Sequence, residues 1–281
     1  MKARIAVAVV GVPLLLVILF FLPDFVLTLS VSVMSVMGVH EALASTGMVK
    51  KKRIYYYGMI FAAFVPLWFR WSRDTMAGAC AILVLICLVY AEALASGGAV
   101  KTYAVTGTLF FSLLIPAALS SFVRLRQSEV WEVCIVLPVA IAFISDAGGL
   151  FAGMLFGKHK LAPQVSPKKT MEGAIGGLVF AIVAAIATGL IVPAILAGQS
   201  GAGAIGVNFV YLAIYGALGS VISQFGDLCF SYVKREYAIK DFGTLFPGHG
   251  GVLDRFDSVI FCAPLCEILF VLLPAVWRQI P

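Results

Sequence analysis

Residues 173–197 read GAIGGLVFAIVAAIATGLIVPAILA, a run without a single charged side chain. A helix that crosses a bilayer needs about 20 predominantly apolar residues, so this stretch predicts a membrane span. Working outward, apolar runs bounded by charge, Gly or Pro predict eight more, at 5–22, 25–46, 54–70, 75–96, 102–122, 130–150, 207–232 and 256–277. The composition agrees. Of 281 residues, 62% are hydrophobic and 12% charged, whereas soluble domains are about half apolar and about a quarter charged. The same figures exclude a disordered chain. The expected fold class is all-α, a polytopic integral membrane protein with about nine transmembrane helices. Residues 1–122 are expected to form an N-terminal set of transmembrane helices. Residues 123–281 are expected to form a C-terminal transmembrane catalytic region with loops at 151–172 and 233–255. The start, Met1-Lys2-Ala3-Arg4 and an apolar run to Leu22, has no small-residue cleavage pattern before Pro23-Asp24, so it reads as a retained first span.

Charge placement tests the span count. Nine spans put Lys2, Arg4, Lys50, Lys51, Lys52, Arg53, Lys101, Lys158, Lys160, Lys168, Lys169, Lys234, Arg235, Lys240 and Arg255 on one face. The other face receives Arg70, Arg73, Arg124, Arg126 and Arg278, a split of 15 to 5. Cytoplasmic loops carry the excess of Lys and Arg, so the first face is cytoplasmic, in the cell's inner membrane, and both long loops lie on it. The net charge of +6 therefore reflects orientation, and no nucleic-acid partner is expected. The six cysteines, at 80, 87, 134, 229, 262 and 266, lie in apolar runs with no CxxC pair and read as buried filler. The outward loop at 198–206, which opens Gly198-Gln199-Ser200-Gly201-Ala202-Gly203, carries no charge and reads as a plain connector. One internal echo exists: Glu41-Ala42-Leu43-Ala44-Ser45 recurs as Glu92-Ala93-Leu94-Ala95-Ser96. It reads as a duplicated helix pair or as coincidence in an Ala-rich chain.

Residues 146–173 and 224–258 hold 15 of the 34 charged residues, eight basic and seven acidic. Charge near a bilayer is costly and marks polar sites. Asp146 and Asp227 lie near the cytoplasmic ends of two expected spans, and Asp254 and Asp257 open a third. Asp227, Ser231 and Lys234, at i, i+4 and i+7, share one helix face, as do Asp254 and Asp257 at i, i+3. Carboxylates from two helices suit a hard divalent cation. Mg²⁺ commonly takes one or two of them and completes its shell with phosphate oxygens and water. The bland reading is that each Asp solvates a helix end. His40 and His159 have no partner at ligand spacing and read as structural or interfacial. Phe246-Pro247-Gly248-His249-Gly250-Gly251 combines a tight turn with glycines that let backbone approach a ligand, and successive N–H groups in such a turn bind anions. With Lys234-Arg235, Lys240-Asp241 and Asp254-Arg255 around it, the stretch reads as a phosphate site beside a metal. Lys158-His159-Lys160 and Ser166-Pro167-Lys168-Lys169-Thr170 have the same character, or form a basic patch for anionic lipid.

These residues resemble the signature of the phosphatidate cytidylyltransferases, or CDP-diacylglycerol synthases: Ser231-x-Val233-Lys234-Arg235-x4-Lys240-Asp241-x-Gly243-x2-Phe246-Pro247-x-His249-Gly250-Gly251-Val252-x-Asp254-Arg255-Phe256-Asp257. The stretch from Asp146 to Gly173 resembles the family too. Together they cover about the C-terminal half, and the first 120 residues match only as hydrophobic helices. The chain departs from common family residues at Ala147, Phe230 and Met171, none a fixed signature position. The resemblance implies that CTP and phosphatidic acid give CDP-diacylglycerol and pyrophosphate with Mg²⁺, and with a monovalent cation such as K⁺ beside it. It implies an all-helical membrane fold, a homodimer, and a funnel open to cytoplasm and bilayer. Its metal carboxylates carry over onto Asp227 and Asp254.

On that reading Lys234, Arg235, Lys240 and Arg255 hold phosphates, with Asp241 beside them. Gly250 and Gly251 present backbone N–H groups, Ser231 shares the Asp227 face, and His249 orients a phosphate or donates a proton. Asp257 is a third carboxylate near the metal or a clamp on Arg255. Asp146, Lys158, Lys160, Ser166, Lys168 and Lys169 line the nucleotide or headgroup entrance. Glu267, inside the last expected span, reads as an interhelical hydrogen bond. Two rivals stand beside this reading: a CTP-dependent kinase of a polyprenol or related lipid alcohol, and a transporter or scramblase of anionic lipid. A transporter needs ionisable residues along a path across the membrane, whereas this chain gathers them at one face.

Overall fold

The computed structural model describes residues 17–72, 74–197, 205–245 and 250–278. Among them a helical stub at 17–20 precedes nine helices: α1 (Asp24–Ser45), α2 (Lys52–Trp71), α3 (Thr75–Ala95), α4 (Thr102–Leu119), α5 (Ser121–Leu125), α6 (Trp131–Phe156), α7 (Met171–Ala197), α8 (Phe209–Glu236) and α9 (Leu253–Leu272). Four short strands accompany them: β1 (Lys160–Ala162), β2 (Ser166–Thr170), β3 (Ile205–Val207) and β4 (Val276–Arg278). Six segments are long and apolar enough to cross a membrane: α1, α3, Thr102–Leu125, α6, α7 and α8. The protein is thus a helical, multi-pass membrane protein. The first expected span, 5–22, lies mostly outside the described residues. α2 and α9 form as 20-residue helices. However, Tyr55, Tyr56, Tyr57 and three basic residues reduce the apolarity of α2, and Asp254, Arg255, Asp257 and Glu267 charge α9.

Helix ends follow local chemistry. The Asp74 carboxylate caps α3 by accepting from the Met76 N–H at 2.9 Å, which satisfies an otherwise orphaned donor. The repeated Glu-Ala-Leu-Ala-Ser closes α1 and α3 alike. Each copy runs into a left-handed glycine, Gly47 (φ +61°) or Gly97 (φ +60°), the usual glycine stop of a helix. Both copies of the echo thus end a helix at a left-handed glycine. Its two glutamates diverge: Glu92 pairs with Lys51 at 2.5 Å, while Glu41 turns to the chain beyond residue 250.

The chain divides into two compact units. One comprises residues up to Val123 with Glu236–Phe256, the other Arg124–Arg235 with Asp257 onward. In the first, α1 packs on α2 and α4, and α2 on α3 and α4, around Ile54, Leu85, Val89 and Val105. In the second, α6 and α7 pack most extensively because small residues let the backbones meet. A Cβ on Gly173 would lie 2.7 Å from the Gly149 carbonyl oxygen. Gly216 of α8 likewise abuts the α7 backbone, where a Cβ would lie 2.6 Å from Ile182 Cα. Polar side chains join the same helices: Ser145 and Ser220 hydroxyls lie 2.7 Å apart, and Gln224 Nε2 donates to Ser220 at 2.9 Å and to the Ala174 carbonyl at 3.1 Å.

Three segments differ from the sequence expectation. α6 continues beyond 150 to Phe156, and an antiparallel β1–β2 hairpin (Lys160↔Thr170, Ala162↔Ser166) fills half of the expected 151–172 loop. The last expected span ends at Leu272, before Pro274, and the chain then forms β4. β3, at the end of the expected plain connector, pairs with β4 in register Gly206↔Trp277.

Candidate active site

In the second unit, four elements bring charge together. Asp227 sits on α8 with Ser231 and Lys234 on the same face, as the spacing predicts. The Ser231 hydroxyl donates to Asp227 Oδ1 at 3.2 Å. Lys169, from β2, forms an ion pair with Asp227 Oδ2. Lys234 Nζ lies 3.9 Å from Asp257 Oδ2 of α9. Ser258 joins the remaining carboxylate: its hydroxyl donates to Asp146 Oδ2 at 2.8 Å, and its N–H donates to Asp257 Oδ1 at 2.8 Å. Asp257 also lies within electrostatic reach of both Asp146 and Asp227. Lys234 and Asp257 are only 8% and 7% exposed, so their charges act where water screens them little. Asp227 and Asp257 thus each face a lysine, and Asp146 joins them through Ser258.

The hairpin stands beside this cluster. Glu172, in the first turn of α7, accepts from the backbone N–H groups of Lys158 (3.1 Å) and His159 (3.2 Å), and pairs with His159 Nδ1 at 2.6 Å. The Met171 N–H returns a bond to the His159 carbonyl at 2.9 Å. Lys158, Lys160 and Lys168 are exposed on the hairpin, with Ser166 half-buried. Arg235 Nε, at the end of α8, donates to the Val165 carbonyl in the hairpin turn at 3.1 Å. His159 therefore has a structural partner, and Glu172 ties the backbone of Lys158 and His159 to α7. Glu172 lies within the 146–173 stretch that resembles the family, but no role of its own was legible in the sequence.

In the first unit, Phe242, Gly243 and Gly251 gather around Asp254. Asp254 Oδ2 accepts from Phe242 N (2.7 Å), Gly243 N (3.3 Å) and Gly251 N (3.0 Å). Gly250 adopts φ +81°, and a Cβ there would lie 2.6 Å from Asp254 Oδ2, so glycine is required twice over. The Gly251 N–H thus points at Asp254. Lys240, Asp241 and Arg255 are exposed. Glu41 of α1, not foreseen as a site residue, is buried and accepts from Val252 N at 2.9 Å and Leu253 N at 2.8 Å. His249, with Phe246, Pro247 and Gly248, lies outside the described residues.

The expected residues therefore fall into two sets, each gathered within its own unit. Asp146, Lys169, Asp227, Ser231, Lys234 and Asp257 form the cluster, with Lys158, Lys160, Ser166, Lys168 and Arg235 on or against the hairpin. Gly250, Gly251 and Asp254 form the loop cradle, with Lys240, Asp241 and Arg255 on the exposed side of the same segment. The expected metal pair, Asp227 and Asp254, takes one residue from each unit. Among the described residues no three His, Cys, Asp or Glu side chains converge as a ready metal cage. The donor chemistry nonetheless suits Mg²⁺: the oxygens are hard, the carboxylates of the cluster outnumber its lysines, and the Lys169 ammonium already stands on Asp227 as a cation would. Mg²⁺ typically takes few protein ligands and fills its shell with water and phosphate oxygens.

Over residues 2–273 the chain matches the sequence model of the Cytidylyltransferase family. It is similar to the phosphatidate cytidylyltransferase of Bacillus subtilis (strain 168), with 36% identity over 152 residues, 54% of this chain and 52% of that protein. It is also similar to that of Staphylococcus haemolyticus (strain JCSC1435), 38% identical over 137 residues, 49% of this chain and 48% of that protein. The Mycobacterium bovis (strain ATCC BAA-935 / AF2122/97) phosphatidate cytidylyltransferase is 36% identical over 173 residues, 60% of this chain and 52% of that protein. The chain spans about half the length of these curated relatives.

Proposed function

The chain belongs to the cytidylyltransferase family, and from that premise we propose that it is a phosphatidate cytidylyltransferase, which transfers CMP from CTP to phosphatidic acid and releases pyrophosphate. The observation that carries the proposal is the lysine–carboxylate cluster of the second unit: Lys169 on Asp227, and Lys234 against Asp257. Such a cluster suits two polyanionic substrates. A phosphate oxygen of phosphatidate attacks the α-phosphorus of CTP, the P–O bond to the β-phosphate breaks, and pyrophosphate leaves in line. Catalysis of this type is mostly positioning and charge neutralisation, and the nucleophile is already an anion, so no strong base is required.

Within that reading Lys169, Lys234 and Arg235 hold phosphates, and Lys158, Lys160, Ser166 and Lys168 meet the incoming nucleotide or lipid headgroup. Lys240, His249, Gly250 and Arg255, with Asp241 beside them, supply the phosphate-binding segment of the first unit, whereas the Gly251 N–H is taken by the Asp254 carboxylate. Asp146, Ser231 and Asp257 orient the cationic groups. Asp227 and Asp254 are our candidates for the metal carboxylates, each supported within its own unit: Asp227 already holds a cationic group, and Asp254 is fixed by three backbone N–H groups. Mg²⁺, when bound, supplies neutralisation of triphosphate charge, with a monovalent cation such as K⁺ beside it. We further propose about nine spans, a cytoplasmic site, a homodimer, and a division of labour between transmembrane helices 1–122 and a catalytic region 123–281.

The test is pyrophosphate release by purified protein in mixed micelles of phosphatidate with CTP and Mg²⁺, with the lipid product weighed by mass spectrometry. A CDP-lipid with equimolar pyrophosphate is expected. CDP formed only when a lipid alcohol is supplied would assign the chain to the lipid kinases instead. Silence in both assays would return it to the transport reading.

A further inference from the structure

Glu41 lies on α1, far in sequence from every residue assigned above, yet it is bound into the signature segment. It is buried at 7% exposure, and both of its carboxylate oxygens are used: Oε1 accepts from Val252 N at 2.9 Å and Oε2 from Leu253 N at 2.8 Å. These N–H groups belong to the start of α9, which carry the positive end of a helix dipole and have no partner within the helix. The carboxylate is enclosed from the other side as well, since a Cβ on Gly243 would lie 2.5 Å from Glu41 Oε1. Gly243 N and Gly251 N in turn donate to Asp254 Oδ2. Glu41 and Asp254 therefore clamp the same loop from two sides, one from α1 and one from α9.

We infer that Glu41 is a positioning residue of the active site: through Val252 and Leu253 it fixes where residues 250–253 and the Asp254 carboxylate stand. The inference rests on the function proposed above. A buried carboxylate is expensive unless charge-assisted hydrogen bonds compensate it. Packing α1 against the loop needs only an apolar side chain at this position. A carboxylate does what an apolar group does not: it takes two successive backbone donors at once and sets the direction of the segment that carries them.

The diagnostic variant is Glu41→Gln, which keeps shape and volume. It loses one acceptor and sets an N–H against an N–H. Amide hydrogen exchange of the unliganded protein reads the loop directly, without catalysis. Exchange at the amides of Phe242, Gly243, Gly251, Val252 and Leu253 should quicken at least tenfold in Glu41→Gln, with α2–α4 unchanged. In steady-state kinetics, at a temperature where both proteins are fully folded, kcat should fall at least tenfold and KM for CTP should rise. KM for phosphatidate should stay within twofold. Glu41→Asp, which keeps the charge on a shorter arm, should recover part of the loss. A merely structural role predicts lower folded yield, with wild-type exchange and kinetics per folded molecule. That result would overturn the inference. Should Glu41→Gln fail to fold, Gly243→Ala presses on the same carboxylate from the loop side and must quicken the same amides. Wild-type exchange in that variant also overturns the inference. Failure of the wild-type protein to make CDP-lipid would instead refute the proposed function and leave the exchange result standing.

Discussion

Asp227 is the residue on which most of the proposed chemistry turns. Its two oxygens serve different neighbours, Ser231 on one and Lys169 on the other. Asp227→Asn preserves the shape and the Ser231 contact while removing the charge that holds a cationic partner. Deleting one electrostatic group of an active site typically costs about 10²–10³ in rate. Pyrophosphate release should therefore fall at least 100-fold while the protein remains in the membrane fraction at wild-type level, and near-normal turnover would remove Asp227 from the metal assignment. Lys234 gives a complementary expectation. It is buried against Asp257 at 3.9 Å, and losing one partner of a buried pair costs about 3–5 kcal/mol because the other charge is stranded. Lys234→Met should thus lower the thermal midpoint as well as the activity, and Lys234→Met with Asp257→Leu should regain stability without regaining turnover. Much of this cluster was legible in sequence. Aspartates near span ends, with Ser and Lys at helical spacing, state their own geometry. Glu41 and Glu172 were not, because each acts on backbone N–H groups, and no side-chain pattern records which amides lack a partner.

At the scale of elements, the hairpin shows how a short irregular segment is made to hold lysines in place. Residues 160–170, with Pro163 and Pro167 and strands of three and five residues, have little strand propensity of their own. The Glu172 carboxylate gathers two backbone donors and the His159 ring, and Thr170 Oγ1 accepts from Gly173 N at 3.1 Å to start α7. Glu172→Ala should release the hairpin at its α7 end. Amides 158–170 should exchange faster, and kcat/KM should fall about tenfold, near what about 1.4 kcal/mol of lost positioning produces. The helices were legible to within a few residues because apolar runs and glycine stops declare them. The hairpin was not, since polar strands paired over so few residues leave no alternation to read. The β3–β4 pairing was equally hidden: its two strands are more than 60 residues apart and three residues long.

At the scale of the whole chain, the expected spans make a claim that the individual helices do not. If about nine segments cross, residues near 50, 98, 164 and 240 share one side of the membrane, and residues near 72, 127 and 201 share the other. On the proposed topology, the 15 to 5 bias of Lys and Arg puts the first set in the cytoplasm. The proposed chemistry asks for the same side, since CTP is a cytoplasmic solute and the hairpin lysines are proposed to meet it. Single cysteines at Lys50, Gly98, Gln164 and Lys240, and at Ser72, Gln127 and Gly201, in a chain whose six native cysteines are replaced by Ala, turn this into a measurement. An impermeant maleimide applied to intact cells should label only the second set, and both sets should label after permeabilisation. Because each span reverses the side, one miscounted crossing inverts every site beyond it. A clean break in the pattern would therefore locate the error, for instance at α2, whose tyrosines and terminal charges make it less apolar than the six clear candidates. Labelling of Gln164 from outside would go further and place the hairpin, with Lys169 beside Asp227, on the face that CTP does not reach.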